Sequence, residues 1–97
     1  MAVKSVIKDR YVGNALAKAR QARHMSQRDV MVRMADLVVR DEAGAPVTLT
    51  DAAISRLENT NRLPGYRTLQ ALAAAYHAEI VVRPKECEIR LLTGWTW

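Results

Sequence analysis

The sequence predicts a mainly α fold of four to five helices that ends in a short C-terminal β-strand or hairpin. Apolar residues recur at helical spacing over most of residues 11–78. Two hydroxyl residues, Ser26 and Thr50, stand where helices would begin. Residues 79–92 are rich in β-branched side chains, and the second half of this stretch has a period of two, which is typical of a half-buried strand. With 97 residues, 49% of them hydrophobic, the chain can build one modest core.

The first two helices are predicted from periodicity and capping. The apolar stripe of the first helix, over about residues 11–23, consists of Val12, Leu16 and Ala19. The second helix should begin after Ser26, with Asp29 completing a capping box, and should continue to about Arg40. Its apolar positions are Val30, Met31, Met34, Leu37 and Val38.

A third, short helix is expected over about residues 50–59. Thr50 can cap it, and Asp51 suits its positive end. Its inward positions are Ala53, Ile54 and Leu57, which leaves a small outer face. A fourth helix is expected near residues 66–77, with a core stripe of Leu69, Leu72, Ala73 and Tyr76.

We divide the chain into a basic lead-in over residues 1–10, a helical domain over 11–78 and a β or dimerisation tail over 79–97. In the tail, Pro84 and Lys85 suit a turn between two strands. The inward side chains of the second strand are expected to be Cys87, Ile89 and Leu91.

The tail is expected to make a homodimer, because a lone hairpin is marginal in water and its open edge invites pairing. Two-fold dimers are the commonest oligomers. The residues expected at this interface are Ile80, Val82, Ile89 and Leu91. The competing expectation is that the tail folds back on its own helices.

The charge and composition of the chain indicate which classes of function it can have. A net charge of +5 favours a polyanionic partner such as nucleic acid, or an anionic membrane surface. The single cysteine cannot form an internal disulfide, which suits a reduced, cytoplasmic setting. We see no catalytic set, metal-ligand spacing, signal peptide or membrane span, so we expect a non-enzyme without cofactor or metal.

Two segments, "SQRDVMVRM" and "TDAAISRLENTNRLPGYRTLQALAAAY", resemble the phage-repressor and Cro-like helix-turn-helix family, also called the XRE family. The resemblance covers about residues 12–80. Its motifs are Ser26-Gln27, the stretch 54–58, the loop 61–64, and Leu69 with Leu72. It implies a repressor-like helix-turn-helix domain that regulates transcription by binding specific double-stranded DNA. As a dimer it would read inverted repeats, with residues 50–59 as recognition helix in the major groove.

The sequence departs from the family in two places. Fifteen residues, Ala35 to Leu49, stand where the family has a short turn. They would form either a longer second helix with a turn at Gly44-Ala45-Pro46, or a small β-hairpin over 38–49. Thr60 stands where a glycine commonly ends the recognition helix.

The resemblance also implies roles for single residues. Gln27 matches a position that touches phosphate and sometimes a base, although it could be a plain exposed helix start. Thr50 would cap the recognition helix and donate to phosphate. Arg56 is the strongest base reader, because arginine can bond guanine O6 and N7 together. The full set of expected DNA contacts is Gln27, Arg28, Thr50, Asp51, Ala52, Ser55, Arg56, Asn59, Asn61 and Arg62.

Within that set, Asp51 would either accept from a cytosine amine or only assist the cap, and Asn61 and Arg62 would grip the DNA backbone. The resemblance further implies an ion pair between Arg20 and Glu58 that anchors the recognition helix; the alternative is two free surface charges.

The resemblance implies a protein of the bacterial cytoplasm, and a phage gene suits the repressor. A second function remains open, an antitoxin-like DNA-binding adaptor. In it, Trp95 and Trp97 would anchor a protein partner, since aromatic side chains are enriched in interface hot spots. The alternative is that both tryptophans pack on the domain's own core.

Overall fold

The computed structural model of the chain contains both helices and an antiparallel sheet, and it describes residues 2–60 and 62–96. The elements in order are β1 Val3–Asp9, α1 Val12–Ala22, α2 Gln27–Leu37, α3 Asp51–Glu58, α4 Tyr66–Tyr76, β2 Ala78–Arg83 and β3 Glu86–Leu92. The fold is therefore α+β. The prediction of a mainly α, repressor-like domain is wrong, because a three-stranded sheet forms one whole side of the core.

Residues 3–9 form a strand of this sheet, so this segment is not only a lead-in. Strand β1 pairs antiparallel with β3, with Ile7 opposite Ile89 and Asp9 opposite Cys87. Strand β3 lies in the middle of the order β1-β3-β2. The division of the chain at residues 10 and 79 therefore does not match the fold, because both ends contribute strands to one sheet.

The C-terminal hairpin has the predicted turn and alternation. Arg83 pairs with Glu86 across Pro84 and Lys85. The inward side chains of β3 are fully buried: Cys87, Ile89 and Leu91. Burial, followed by the charge of Asp9, raises the pKa of the Cys87 thiol to about 11.

The predicted dimer surface needs a correction. Ile89 and Leu91 are 0% and 2% exposed within their own chain, so they cannot contact a partner. For these two residues the tail folds back on its own helices, since both belong to the core cluster that includes α1 and α4. Ile80 is half-buried, and Val82 remains 40% exposed on β2.

Helix α2 ends earlier than predicted, at Leu37 instead of about Arg40. Val38 adopts a left-handed conformation with φ of 48°, which stops the helix and leaves Leu37 and Val38 exposed. The connection to α3 is the small hairpin-like loop, not the lengthened helix. The amide of Val47 donates to the carbonyl of Val39 at 2.7 Å, and Arg40 and Pro46 form an isolated antiparallel β-bridge.

Trp95 packs against two arginines of its own chain. Its ring lies 4.8 Å from the guanidinium carbon of Arg23 and 4.6 Å from that of Arg33. Arg23 also donates to the carbonyls of Tyr76, His77 and Leu92, which joins the end of α4 to the end of β3. The structure agrees with packing on the domain's own core for Trp95, and Trp97 lies outside the described residues. Across the described ranges, no helix is long and apolar enough to span a membrane.

Candidate nucleic-acid interface

The amino ends of α2 and α3 are capped as their sequences predict. Ser26 Oγ accepts from the amide of Asp29 at 3.0 Å, and the Asp29 carboxylate accepts from the amide of Ser26 at 2.8 Å. Thr50 Oγ1 accepts from the amide of Ala53 at 3.1 Å. These bonds satisfy amides that the first helical turn leaves unpaired, and they fix where each helix begins.

Helix α1 packs closely against α3. Gly13 on α1 lies against the carboxyl end of α3 so closely that an added Cβ would sit 2.6 Å from the carbonyl oxygens of both Leu57 and Thr60. Ile54, the central inward residue of α3, is 1% exposed. Gly13 was not among the predicted site residues, and its only signal in the sequence is that a glycine stands inside a helical pattern.

An ion pair fixes the same end of α3. Arg20 Nε donates to Glu58 Oε2 at 2.8 Å, and Arg20 Nη2 donates to Glu58 Oε1 at 3.0 Å, which confirms the predicted pairing. The side chains are 15% and 6% exposed. The Glu58 carboxylate raises the pKa of the Arg20 guanidinium. Because Arg20 also donates to the carbonyl of Met25, the pair links α1, the start of α2 and α3.

Gln27 joins this pair instead of pointing only to solvent. Its Nε2 donates to Glu58 Oε1 at 3.0 Å, and the residue is half-buried. Gln27 is therefore not a plain exposed helix start, because it supports α3 from the first turn of α2. Its expected contact with phosphate stays a prediction. Tyr76 is buried in the adjoining core, where burial and then the charge of Glu58 raise the pKa of its hydroxyl.

The outer face of α3 is small and accessible. Ala52 and Arg56 are exposed, and Ser55 is half-buried. The Asp51 carboxylate accepts from the amide of Ala52 at 2.8 Å, which agrees with its role at the cap. Together with the start of α2, this face forms a shallow depression of about 480 Å³, lined by Ser26, Gln27, Arg28, Asp51, Ala52 and Ser55.

A second groove continues from α3 toward α4. It measures about 660 Å³, and the expected DNA contacts Arg56, Asn59 and Arg62 lie on its walls beside the exposed Leu63. Asn59 is partly engaged, because its Nδ2 donates to the carbonyl of Ser55 at 2.8 Å. Asn61 lies outside the described residues. This groove was not predicted, because its walls come from the loop before α3, from α3, from the connection to α4 and from α4, which come together only in the folded chain.

The arginines of the described chain fall into two groups. The guanidinium groups of Arg28, Arg56 and Arg62 make no hydrogen bond or ion pair with any other described residue. Every other arginine contacts a carboxylate, a carbonyl oxygen, an amide oxygen or an aromatic ring. The three unengaged guanidiniums all border the two depressions beside α3.

No family model, curated protein or solved structure gives a significant match to this chain. Among the described residues, no cluster of three histidine, cysteine or acidic side chains could hold a metal ion.

Proposed function

We propose that the protein binds specific double-stranded DNA with α3 in the major groove. The observation that supports this most strongly is the set of unengaged arginines, Arg28, Arg56 and Arg62, around the exposed face of α3. Guanidinium groups that have no partner among the described residues are available for phosphate oxygens or guanine edges without first breaking a described contact.

The dimensions and side chains of α3 suit this role. An α-helix with its side chains is about 10–12 Å across, which fits the width of about 12 Å of the major groove, and the eight residues of α3 supply about 12 Å of helix length to lie in it. Ala52 and Ser55 are small, so the backbone of α3 can approach the base edges. Arg56 reads a base in this proposal, while Arg28 and Arg62 contact phosphates on either side.

The proposed biological role is transcriptional regulation, with two copies reading an inverted repeat. This part rests on the resemblance to repressor-like proteins and on the basic charge of the chain. The adaptor alternative loses its supporting observation for Trp95, because that ring packs on Arg23 and Arg33 of its own domain.

Two arginine variants test the assigned roles. Arg56→Ala is expected to weaken binding to a selected site by about 1–3 kcal/mol and to relax the preference at one base pair. Arg62→Ala is expected to weaken binding to all sequences alike, because a phosphate contact carries no base information. Binding to the selected site and to single-base variants of it measures both effects.

Lys85→Ala is the matched control, because it also removes one positive charge but lies on the β2–β3 turn. It should leave the sequence preference unchanged and lower affinity less than either arginine variant. If Arg56→Ala and Arg62→Ala alter the base preference identically, the assignment of base and phosphate contacts is contradicted.

A further inference from the structure

Strand β2 is an open edge of the sheet. The sheet order is β1-β3-β2, so within residues 2–60 and 62–96 only one side of β2 is paired. The pairing of β2 with β3 extends to His77, whose carbonyl accepts from the amide of Leu92 at 3.0 Å. Along a strand, the backbone N–H and C=O groups of successive residues point to alternate sides. The N–H and C=O groups of Glu79, Val81 and Arg83 therefore also point toward β3. The backbone groups of Ala78, Ile80 and Val82 therefore point to the open side.

An apolar groove follows this open edge. Ile80 and Val82 form one wall with Glu79, and Tyr66, Leu69 and Ala73 of α4 form the other, around a volume of about 440 Å³. Tyr66 is 72% exposed and Val82 is 40% exposed. An exposed strand edge beside exposed apolar side chains is an aggregation hazard unless a partner covers it.

The sequence of β2 is complementary to itself. In an antiparallel pair of two β2 strands centred on Val81, Glu79 of one copy lies opposite Arg83 of the other, and this happens twice. Opposite charges at facing positions stabilise a strand pair. Glu79 and Arg83 are both available, because their side chains are 57% and 45% exposed and their present ion contacts are long, at 3.8 Å to Arg90 and 3.4 Å to Glu88.

The backbone favours the same register. Centring on Val81 places Ile80 opposite Val82 of the second copy, and both residues direct their donors and acceptors to the open side. A shift by one pair in one direction would place Glu79 opposite Val81 and lose both charge pairs. A shift in the other direction would place Pro84, which has no N–H, opposite Ile80.

The other edge of the sheet lacks these properties. A pair of β1 strands centred on Val6 would set Lys4 opposite Lys8 in both directions, and like charges at facing positions repel. The register of β1 is also irregular between Val3 and Ser5. Lysine side chains and irregular pairing both protect the edge strand of a sheet from pairing with another chain.

We propose that a second copy of this chain docks on β2, antiparallel about a two-fold axis at Val81, so that two sheets become one of six strands. The paired edges cover the apolar groove between β2 and α4. This dimer supplies the two-fold symmetry of the proposed function, but it rests on β2 alone and does not require DNA.

Charge reversal tests the interface. Glu79→Arg and Arg83→Glu each place like charges opposite one another twice, so each should weaken dimerisation by about tenfold or more. The double variant Glu79→Arg/Arg83→Glu restores opposite charges and should restore the dimer. Sedimentation of the full chain without DNA measures the association. Lys4→Glu on β1 is the control for a reversed charge and should leave the dimer unchanged.

A cross-link tests the register and does not depend on the charge variants. Val81 of one copy would lie opposite Val81 of the other, at a position where the two residues exchange no backbone hydrogen bonds. The two Cα atoms of such a pair are about 4.5 Å apart, which permits a disulfide. Val81→Cys should form a covalent dimer on oxidation, whereas Val6→Cys on β1 should not. Each of three results would overturn the proposal: the wild type is monomeric, the single charge variants dimerise normally, or the Val81→Cys protein fails to cross-link. A monomer that still selects DNA would leave the proposed binding of DNA by α3 intact and would overturn only the reading of an inverted repeat by two copies.

Discussion

Glu58→Ala is expected to lower the free energy of unfolding by about 3–5 kcal/mol, because it leaves a partly buried guanidinium without its carboxylate. Arg20 has only 15% of its side chain exposed, so water cannot replace both lost bonds. Gln27 loses its acceptor in the same variant. Urea unfolding of the variant and the wild type measures the difference.

A double-mutant cycle separates the pair from the packing of each residue. Arg20→Ala and Glu58→Ala should cost less together than the sum of their separate costs, because each single variant leaves one charge unpaired. Lys18→Ala is the control, since it breaks an ion pair with Asp9 in which Lys18 is 54% exposed. It should cost about 1 kcal/mol or less. A cycle without coupling would remove the pair as an anchor of α3.

Gly13→Ala is expected to destabilise the fold by about 1–3 kcal/mol, although alanine is the better helix former by about 1 kcal/mol. The added methyl group would lie 2.6–2.8 Å from three backbone carbonyls, those of Leu57, Glu58 and Thr60. Backbone atoms cannot rotate away as a flexible side chain can. Helix α1 must therefore move from α3, and affinity for DNA should fall together with stability.

Gly65→Ala is the matched control for this substitution. No heavy atom of the part of the chain that the structure describes lies within 4 Å of a Cβ added at Gly65, and its φ of −62° suits any residue. Its effect on the midpoint of thermal unfolding should be small. A Gly13→Ala protein as stable as the Gly65→Ala protein would show that α1 and α3 are not in close backbone contact.

The features that the sequence predicts correctly are local. Ser26, Asp29 and Thr50 cap helices because a hydroxyl or carboxylate can reach an amide three residues away. The alternation around Ile89 predicts a strand because successive side chains point to opposite faces. The pair of Arg20 and Glu58, 38 positions apart, came from the family resemblance and not from any local pattern.

The features that the sequence does not predict depend on distant partners. Strand β1 exists because β3 pairs with it, and Ile7 meets Ile89 only once the chain has folded. Leu37 and Val38 continue the helical spacing of α2, yet the left-handed conformation of Val38 ends the helix at Leu37, and both side chains stay exposed. Gln27 has the expected position at the start of α2, but its amide bonds to Glu58, which the sequence places far away.

Selection of bound duplexes from a pool of random DNA, followed by titration of the selected site with salt, tests DNA binding most directly. The structure-based proposal predicts enrichment of one sequence motif and a loss of affinity as salt rises. The slope of log K against log salt should be about −0.9 for each phosphate that an arginine neutralises. A protein whose affinity is indifferent to both sequence and salt would contradict the proposal that α3 and its three unengaged arginines bind DNA.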